Sequence, residues 1–253
     1  MKSMTRFLFV SFLIVAILIG SVSCSRTIEA YKDYRCYDYH LRYLNTSKSI
    51  GTYQQKEDNT VYNIDYRKII GEDETKIIGA EISSTQGAFS SGYYPRVLQN
   101  PQSYISVIDV WTIESMQFCV YDITKSKDEG VVFESSDSDD IEAFKRMLTR
   151  KDHAVFDIES DDMDGYRREF SENGNEKRLT LRIIFSESEN IVWETEIESY
   201  FNPSTNERIY AIDLGKSDNE YGYQSKDWGW KKSDDSTLNR LFTEFVMQID
   251  SNS

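Results

Sequence analysis

Three consecutive segments in the carboxyl-terminal half read as strands, and the first two alternate apolar and polar side chains. In the first, Leu179, Leu181, Ile183 and Phe185 alternate with Thr180 and Arg182, and IVWETEIES and ERIYAIDL follow after the turns SESEN and FNPSTN. A period of two sends successive side chains to opposite faces of a strand, so the first two strands each have an apolar and a polar face. The short connections predict an antiparallel meander.

Two other segments repeat apolar residues at the helical period. The first spans about 139–150, where Asp139 can cap the helix and Glu142 follows three residues later, as in a capping box. The second spans about 235–249 and carries Leu and Phe on one face. The segments YISVIDVW and SMQFCVYDI, which precede the first helix, read as strands. We predict an α+β fold, mainly an antiparallel β-sheet with these two amphipathic helices packed on it.

The chain opens with the three-part pattern of an export signal. Lys2 and Arg6 precede an apolar run at 7–22, and small side chains follow. The run is shorter than the roughly 20 residues that span a bilayer, which favours cleavage over retention as a membrane anchor. Ser21 and Ser23 suit cleavage by an ordinary signal peptidase.

Cys24 follows the apolar run and Ser23 directly. This arrangement resembles the first segment of bacterial lipoprotein precursors, with Ser21 at a position where Leu is typical. The resemblance covers only the signal segment. It implies a lipid on Cys24, a membrane anchor through that lipid and a soluble domain in the cell envelope, outside the cytoplasm. Simple secretion and an uncleaved anchor are the alternatives.

Composition divides the chain into three parts. We predict a signal peptide at 1–23, tyrosine-rich strands and a loop at 24–100, and an α+β domain at 101–253, with which 24–100 can be continuous. Residues 83–100 combine Ser, Gly, Tyr and Pro. That composition predicts a long surface loop, and such loops often carry binding sites.

Two cysteines remain if Cys24 carries lipid. An even remainder in an exported protein predicts a disulfide between Cys36 and Cys119. In the chain-entropy model this bond would stabilise the fold by roughly 4 to 5 kcal/mol. The alternative is two separate buried thiols, because Cys119 lies in the apolar segment MQFCVYDI, where a small hydrophobic residue is ordinary.

The chain is strongly acidic, with a net charge of -14. This charge repels nucleic acid, so we expect no nucleic-acid partner. Acidic residues are interleaved with Lys and Arg, which favours solubility as their role over a basic partner or a divalent cation. Oligomeric state stays open.

Few residues offer catalytic or metal-binding chemistry. His40 and His153 are the histidines, and no G-x-S-x-G motif occurs. His40 lies among tyrosines and reads as a surface or packing residue. A weak calcium candidate precedes Gly165 and consists of Glu159, Asp161, Asp162 and Asp164. A solvated acidic turn explains these acids better, and we expect no cofactor.

Aromatic residues near the carboxyl terminus are candidate ligand contacts. Their rings could stack on a sugar or fill a groove of a partner; they are Tyr221, Tyr223, Trp228 and Trp230. The preferred alternative is that they close the core beneath the last helix. Glu194, Glu196 and Glu198 could provide a carboxylate pair for a glycosidase, but they are most simply the solvent side of a strand.

These observations favour a non-enzymatic envelope lipoprotein that binds a protein or polysaccharide. The arrangement of strands and helices is similar to that of small exported bacterial lipoproteins of unassigned role, which implies no particular activity. A secreted hydrolase that uses Asp and Glu is one alternative. An acidic inhibitor or immunity-type protein is another.

Overall fold

The computed structural model describes residues 29–57, 59–86, 89–90, 94–122, 127–149, 165–168, 177–215 and 230–251. The chain divides into two compact units. The first holds the residues up to Tyr37 and Asn45–Tyr104, and the second holds Asp38–Leu44 and the residues from Ile105 onward. The chain therefore contributes one short segment to the second unit before the first unit is complete.

Strands supply most of the described structure. In chain order they are β1 (Leu41–Tyr43), β2 (Thr46–Glu57), β3 (Thr60–Ile69), β4 (Ile77–Gln86), β5 (Phe89–Ser90), β6 (Tyr94–Gln99), β7 (Ile113–Asp122), β8 (Lys127–Ser135), β9 (Arg167–Arg168), β10 (Lys177–Phe185), β11 (Ser188–Asn202), β12 (Glu207–Asp213) and β13 (Trp230–Lys232). The helices are a 3-10 helix at Pro101–Ser103, α1 (Val107–Val110), α2 (Ser138–Thr149) and α3 (Ser236–Ser251). The predicted α+β class with a mainly antiparallel sheet is confirmed, while the structure has more helical segments than the two predicted.

The first unit is built on an antiparallel sheet of order β2-β3-β4-β5, with β6 also paired to β4. Alternation along β3 buries Tyr62, Ile64 and Tyr66 on one face. The Tyr31 ring packs on Tyr66 with centroids 5.9 Å apart, and the hydroxyl of Tyr34 donates to the Thr75 carbonyl at 2.7 Å. The tyrosine-rich segment near the amino terminus thus contributes to the core of this unit.

The predicted loop at 83–100 is mostly strand. Residues in this range belong to β4, β5 and β6. Val97 and Leu98 are buried, because the pairing of β6 with β4 carries them into the sheet. The prediction of a long surface loop is therefore wrong for the described residues of this range.

The second unit contains the larger sheet, of order β13-β12-β11-β10-β7-β8. The central strand β11 pairs with β10 along one edge. Its other edge pairs first with β1, at Ile191–Trp193, and then with β12, from Ile197 onward. β1 and β12 thus lie end to end along β11, and Glu194, Thr195 and Glu196 lie between the two ladders.

The two longer helices cover one face of this sheet. Phe118 of β7 meets Phe242 and Phe245 of α3, with ring centroids 6.0 and 5.3 Å apart. Phe144 of α2 packs its ring edge-on against Trp193, at 5.6 Å. Burying such aromatic side chains stabilises a fold by several kcal/mol each, so this interface is the core of the unit.

The starts of the helices differ in part from prediction. The carboxylate of Asp137, rather than that of Asp139, accepts a backbone hydrogen bond, from the Asp139 N–H at 2.8 Å. Asp235 caps α3 by accepting from the backbone N–H groups of Thr237 and Leu238, at 2.9 and 3.3 Å.

The segment YISVIDVW does not form the predicted strand. Val107–Val110 is a short helix, and the Trp111 N–H donates to the Val107 carbonyl at 2.9 Å. Ser106 donates to the carboxylate of Asp109 at 2.5 Å, a local bond that favours a turn over an extended chain. Across the described ranges, no helix is both long and apolar enough to cross a membrane.

Candidate functional site

Side chains fill the space between β1 and β12 along the edge of β11. The Glu194 N–H donates to the His40 carbonyl at 2.9 Å, as in a continued ladder. The His40 ring then lies with Nδ1 3.1 Å from the Glu194 carbonyl and Nε2 3.1 Å from the Gly215 carbonyl. We call this cluster the β1–β12 junction; its side chains are Asp38, Tyr39, His40, Trp193 and Asp213.

Two carboxylates flank His40 and are already hydrogen-bonded. Asp38 accepts from the His40 backbone N–H at 2.9 Å and from the indole N–H of Trp193 at 3.0 Å. Asp213 accepts from the Tyr39 hydroxyl at 2.9 Å and from the Gly215 N–H at 2.8 Å. The junction is therefore held by bonds from β1, β11 and the end of β12.

Aromatic rings enclose the imidazole. The Tyr39 ring lies 4.1 Å and the Trp193 ring 4.6 Å from the His40 ring, measured between centroids. His40 is only 5% exposed. Burial lowers the pKa of His40 below that of an exposed histidine, although the charges of Asp38 and Asp213 oppose this shift.

Three glutamates of β11, at alternate positions, are each paired with an arginine. Arg182 lies 3.0 Å from Glu194, Arg178 lies 2.9 Å from Glu196, and Arg168 contacts Glu198. The first two pairs run between β10 and β11, and the third between β9 and β11. We call these six residues the paired-charge face. The sequence-based interpretation as a plain solvent side missed the arginine partners.

Glu196 differs from its neighbours in its electrostatic setting. Burial raises its pKa above the ordinary glutamate value, against the effect of Arg178, and the negative charges of Asp213 and Glu198 raise it further. Continuing the register of Ile197 with Ile212 places Asp213 beside Glu196. A carboxyl with a raised pKa thus lies next to a carboxylate that accepts two hydrogen bonds, an arrangement that acid–base chemistry can use.

One of the four predicted aromatic contacts is described. Trp230 is buried in a cluster with Tyr200, Ile209 and Ala211, and Tyr166 packs against it. This environment leaves 7% of Trp230 exposed, so little of its ring is open to a ligand. The other three lie outside the described residues: Tyr221, Tyr223 and Trp228.

The predicted disulfide is not formed. Cys36 and Cys119 are both buried thiols, the first in the first unit and the second on β7 of the second unit. Cys119 lies within the sheet between Val131 of β8 and Thr180 of β10, as expected of a small buried residue.

Other predicted sites fall outside the described part of the chain. These are Cys24 and the weak calcium candidate, Glu159, Asp161, Asp162 and Asp164. Among the residues that the structure describes, no group of three or more His, Cys, Asp or Glu side chains is arranged to hold a metal ion.

Sequence reasoning missed the β1–β12 junction. Its members come from residues 38–40, 193 and 213, and His40 lies 154 positions from its partner Glu194. The local signal was the triplet Asp38, Tyr39 and His40, which places three hydrogen-bonding side chains in a row. Comparison with protein families, curated proteins and solved structures finds no match for this chain.

Proposed function

We propose that this chain is an exported envelope protein, anchored in a membrane by lipid on Cys24, that acts by binding a protein or polysaccharide. The proposed location rests on the amino-terminal sequence, in which basic residues precede an apolar run that ends just before Cys24. It is similar to the signal segment of bacterial lipoprotein precursors, and Cys24 is the residue that would carry the lipid.

The paired-charge face supports binding over catalysis. Arginines lie against Glu194, Glu196 and Glu198, which reduces the net charge of a strand face that would otherwise be strongly acidic. Arg178 and Glu196 keep 52% and 40% of their side-chain surface exposed. A partner with both acidic and basic groups can match such a face, and charge complementarity sets specificity and association rate.

Anchoring is tested by expressing the full chain in a bacterium and identifying its mature amino terminus by mass spectrometry. We expect a terminus at Cys24 that carries lipid, and recovery in the membrane fraction. Cys24→Ala should be absent from the membrane fraction, whereas the control Cys36→Ala should still be found there. A full-length product in the cytosol with Met1 attached would refute export.

Binding is tested by co-sedimentation with purified cell-wall polysaccharide and by crosslinking to envelope proteins. Arg178→Glu, which places like charges beside Glu196, should weaken binding at least about tenfold, because it is a charge reversal within an interface. The control Lys145→Glu reverses a charge on α2, away from this face. Equal binding by both variants would contradict the role of the paired-charge face.

A hydrolase is the second candidate, and the pair Glu196 and Asp213 favours it. The raised pKa of Glu196 suits a general acid, and Asp213 would act as the base or nucleophile. Release of reducing sugars from envelope polysaccharide, lost in Glu196→Gln and Asp213→Asn but kept in Glu189→Gln, would establish this activity. The inhibitor hypothesis stays a prediction from the acidic composition.

A further inference from the structure

Residues 38–44 are attached to the second unit by a short strand ladder and by the β1–β12 junction. β1 pairs with β11 at three positions, Leu41 with Trp193, Arg42 with Val192 and Tyr43 with Ile191. Leu41 is buried, the Leu44 N–H donates to the Asn190 carbonyl at 2.9 Å, and the β1–β12 junction adds the contacts of Asp38, Tyr39 and His40. The state of the junction therefore contributes to how firmly this segment is held.

The His40 ring faces two groups that can only accept hydrogen bonds. Both ring nitrogens lie 3.1 Å from backbone carbonyl oxygens, those of Glu194 and Gly215. A neutral imidazole carries one N–H and can donate to only one of them, whereas an imidazolium can donate to both. Proton uptake therefore changes the bonding of this side chain in place.

Protonating the buried His40 ring costs free energy, because the charged ring loses its hydration. His40 lies between two aromatic rings and is almost fully buried, and an ion in such a place is disfavoured unless charges compensate. Asp38 and Asp213 supply negative charge, but each already accepts two hydrogen bonds from other donors. The positive charge of Arg42 lowers the pKa of His40 further. The charged groups that face the ring or its carboxylates are Asp38, Arg42, Asp213 and Glu196.

We propose that His40 is an acid-released clasp: its neutral ring donates to one of the two carbonyls and packs between Tyr39 and Trp193, and this holds residues 38–44 to the junction until the ring takes a proton from solvent. Once exposed, the imidazolium is hydrated, and residues 38–44 lose the contacts of Tyr39 and His40 together. The lowered pKa of His40 agrees with this direction, because the folded junction binds the proton more weakly than an open one.

Hydrogen exchange on the full chain in detergent micelles tests the clasp. Exchange in peptides that cover residues 38–44, corrected for the intrinsic pH dependence, should rise severalfold from pH 7 to pH 5, because the open state binds the proton more tightly than the closed one. His40→Gln, which cannot take up a proton here, should lose this pH dependence. The control His153→Gln should keep it. An acid-induced rise of equal size in His40→Gln, or none in the native chain, would overturn the proposal.

A second measurement needs no variant at position 40. The chain has two histidines, so proton NMR of the native chain shows two imidazole Hε1 signals, and the signal retained in His153→Gln belongs to His40. We expect this signal to titrate below an exposed histidine, whose pKa is about 6.5. Titration at or above that value would mean that the second hydrogen bond outweighs burial, and the clasp would be refuted.

Discussion

Tyr39 makes two separable contributions to the β1–β12 junction. Its ring stacks on His40, and its hydroxyl donates to the carboxylate of Asp213 at 2.9 Å. A hydrogen bond to a charged acceptor contributes more to stability than one between neutral groups. Deleting the hydroxyl oxygen of Tyr39 removes this bond and leaves the ring contact in place.

Tyr39→Phe keeps the stacked ring and removes this hydrogen bond. We expect the free energy of unfolding at pH 7 to fall by about 1.5 kcal/mol, within the range for hydrogen bonds to charged groups. Urea unfolding followed by circular dichroism measures the change. Tyr37→Phe is the matched control and should cost much less, since Tyr37 contacts Tyr104 through its ring, which Phe keeps.

Replacing Glu196, unlike replacing Tyr39, is expected to raise the stability of the fold. Its folded pKa is raised, so the protonated form stabilises the fold below the unfolded pKa, and this stability is lost as pH rises through the folded pKa. Glu196→Gln should therefore raise the free energy of unfolding at pH 7, by less than about 1 kcal/mol because the group is partly exposed, and change it little at pH 4. The exposed control Glu189→Gln should be neutral at both. A loss of stability at pH 7 would show that the Arg178 contact dominates.

At the scale of elements, helix α3 depends on the cap at its first turn. Asp235 accepts from two backbone N–H groups and also pairs with Arg146 of α2, at 3.2 Å. The cap satisfies donors that have no partner within the helix, whereas the ion pair is at the surface and contributes little.

Asp235→Ala should lower the free energy of unfolding by about 1 kcal/mol, the usual cost of an N-cap. Asp235→Asn keeps the capping oxygen and loses only the charge, so it should retain most of the stability. Thermal unfolding of both variants separates the two roles. Equal destabilisation by both would instead assign the effect to the pair with Arg146.

Elements whose pattern is local were the predictable ones. The alternation from Leu179 to Phe185 is visible in the sequence, and β10 follows it. The apolar residues at Val107–Val110 predict a strand, but a local bond between Ser106 and Asp109 accompanies a short helix there. The β1–β12 junction could not be predicted, since it depends on the way in which two strands share one edge of β11, a property of the tertiary fold.

At the scale of the whole molecule, stability comes from two separate cores without a covalent link between their cysteines. Cys36 lies in the first unit and Cys119 in the second, and both are thiols. Packing such as that of Phe118 on Phe245 forms the core of the second unit.

Reductant should leave stability unchanged. The urea unfolding midpoint of the full chain should be the same with and without dithiothreitol, whereas loss of a disulfide of this loop length would lower the free energy of unfolding by roughly 4 to 5 kcal/mol. Counting reactive thiols in urea without reductant provides an independent check. A midpoint that falls on reduction would show that Cys36 and Cys119 are joined after all.

Residues 38–44 belong to the second unit although the residues on both sides of them belong to the first, and this affects the order in which the chain can fold. β2, β3 and β4 follow one another in the chain, so the first sheet can form from strands that are neighbours in sequence. β1 instead pairs with Ile191–Trp193, far along the chain. Because this ladder closes a long loop, we expect it to form after the first sheet, and β1 lacks its partner strand until then.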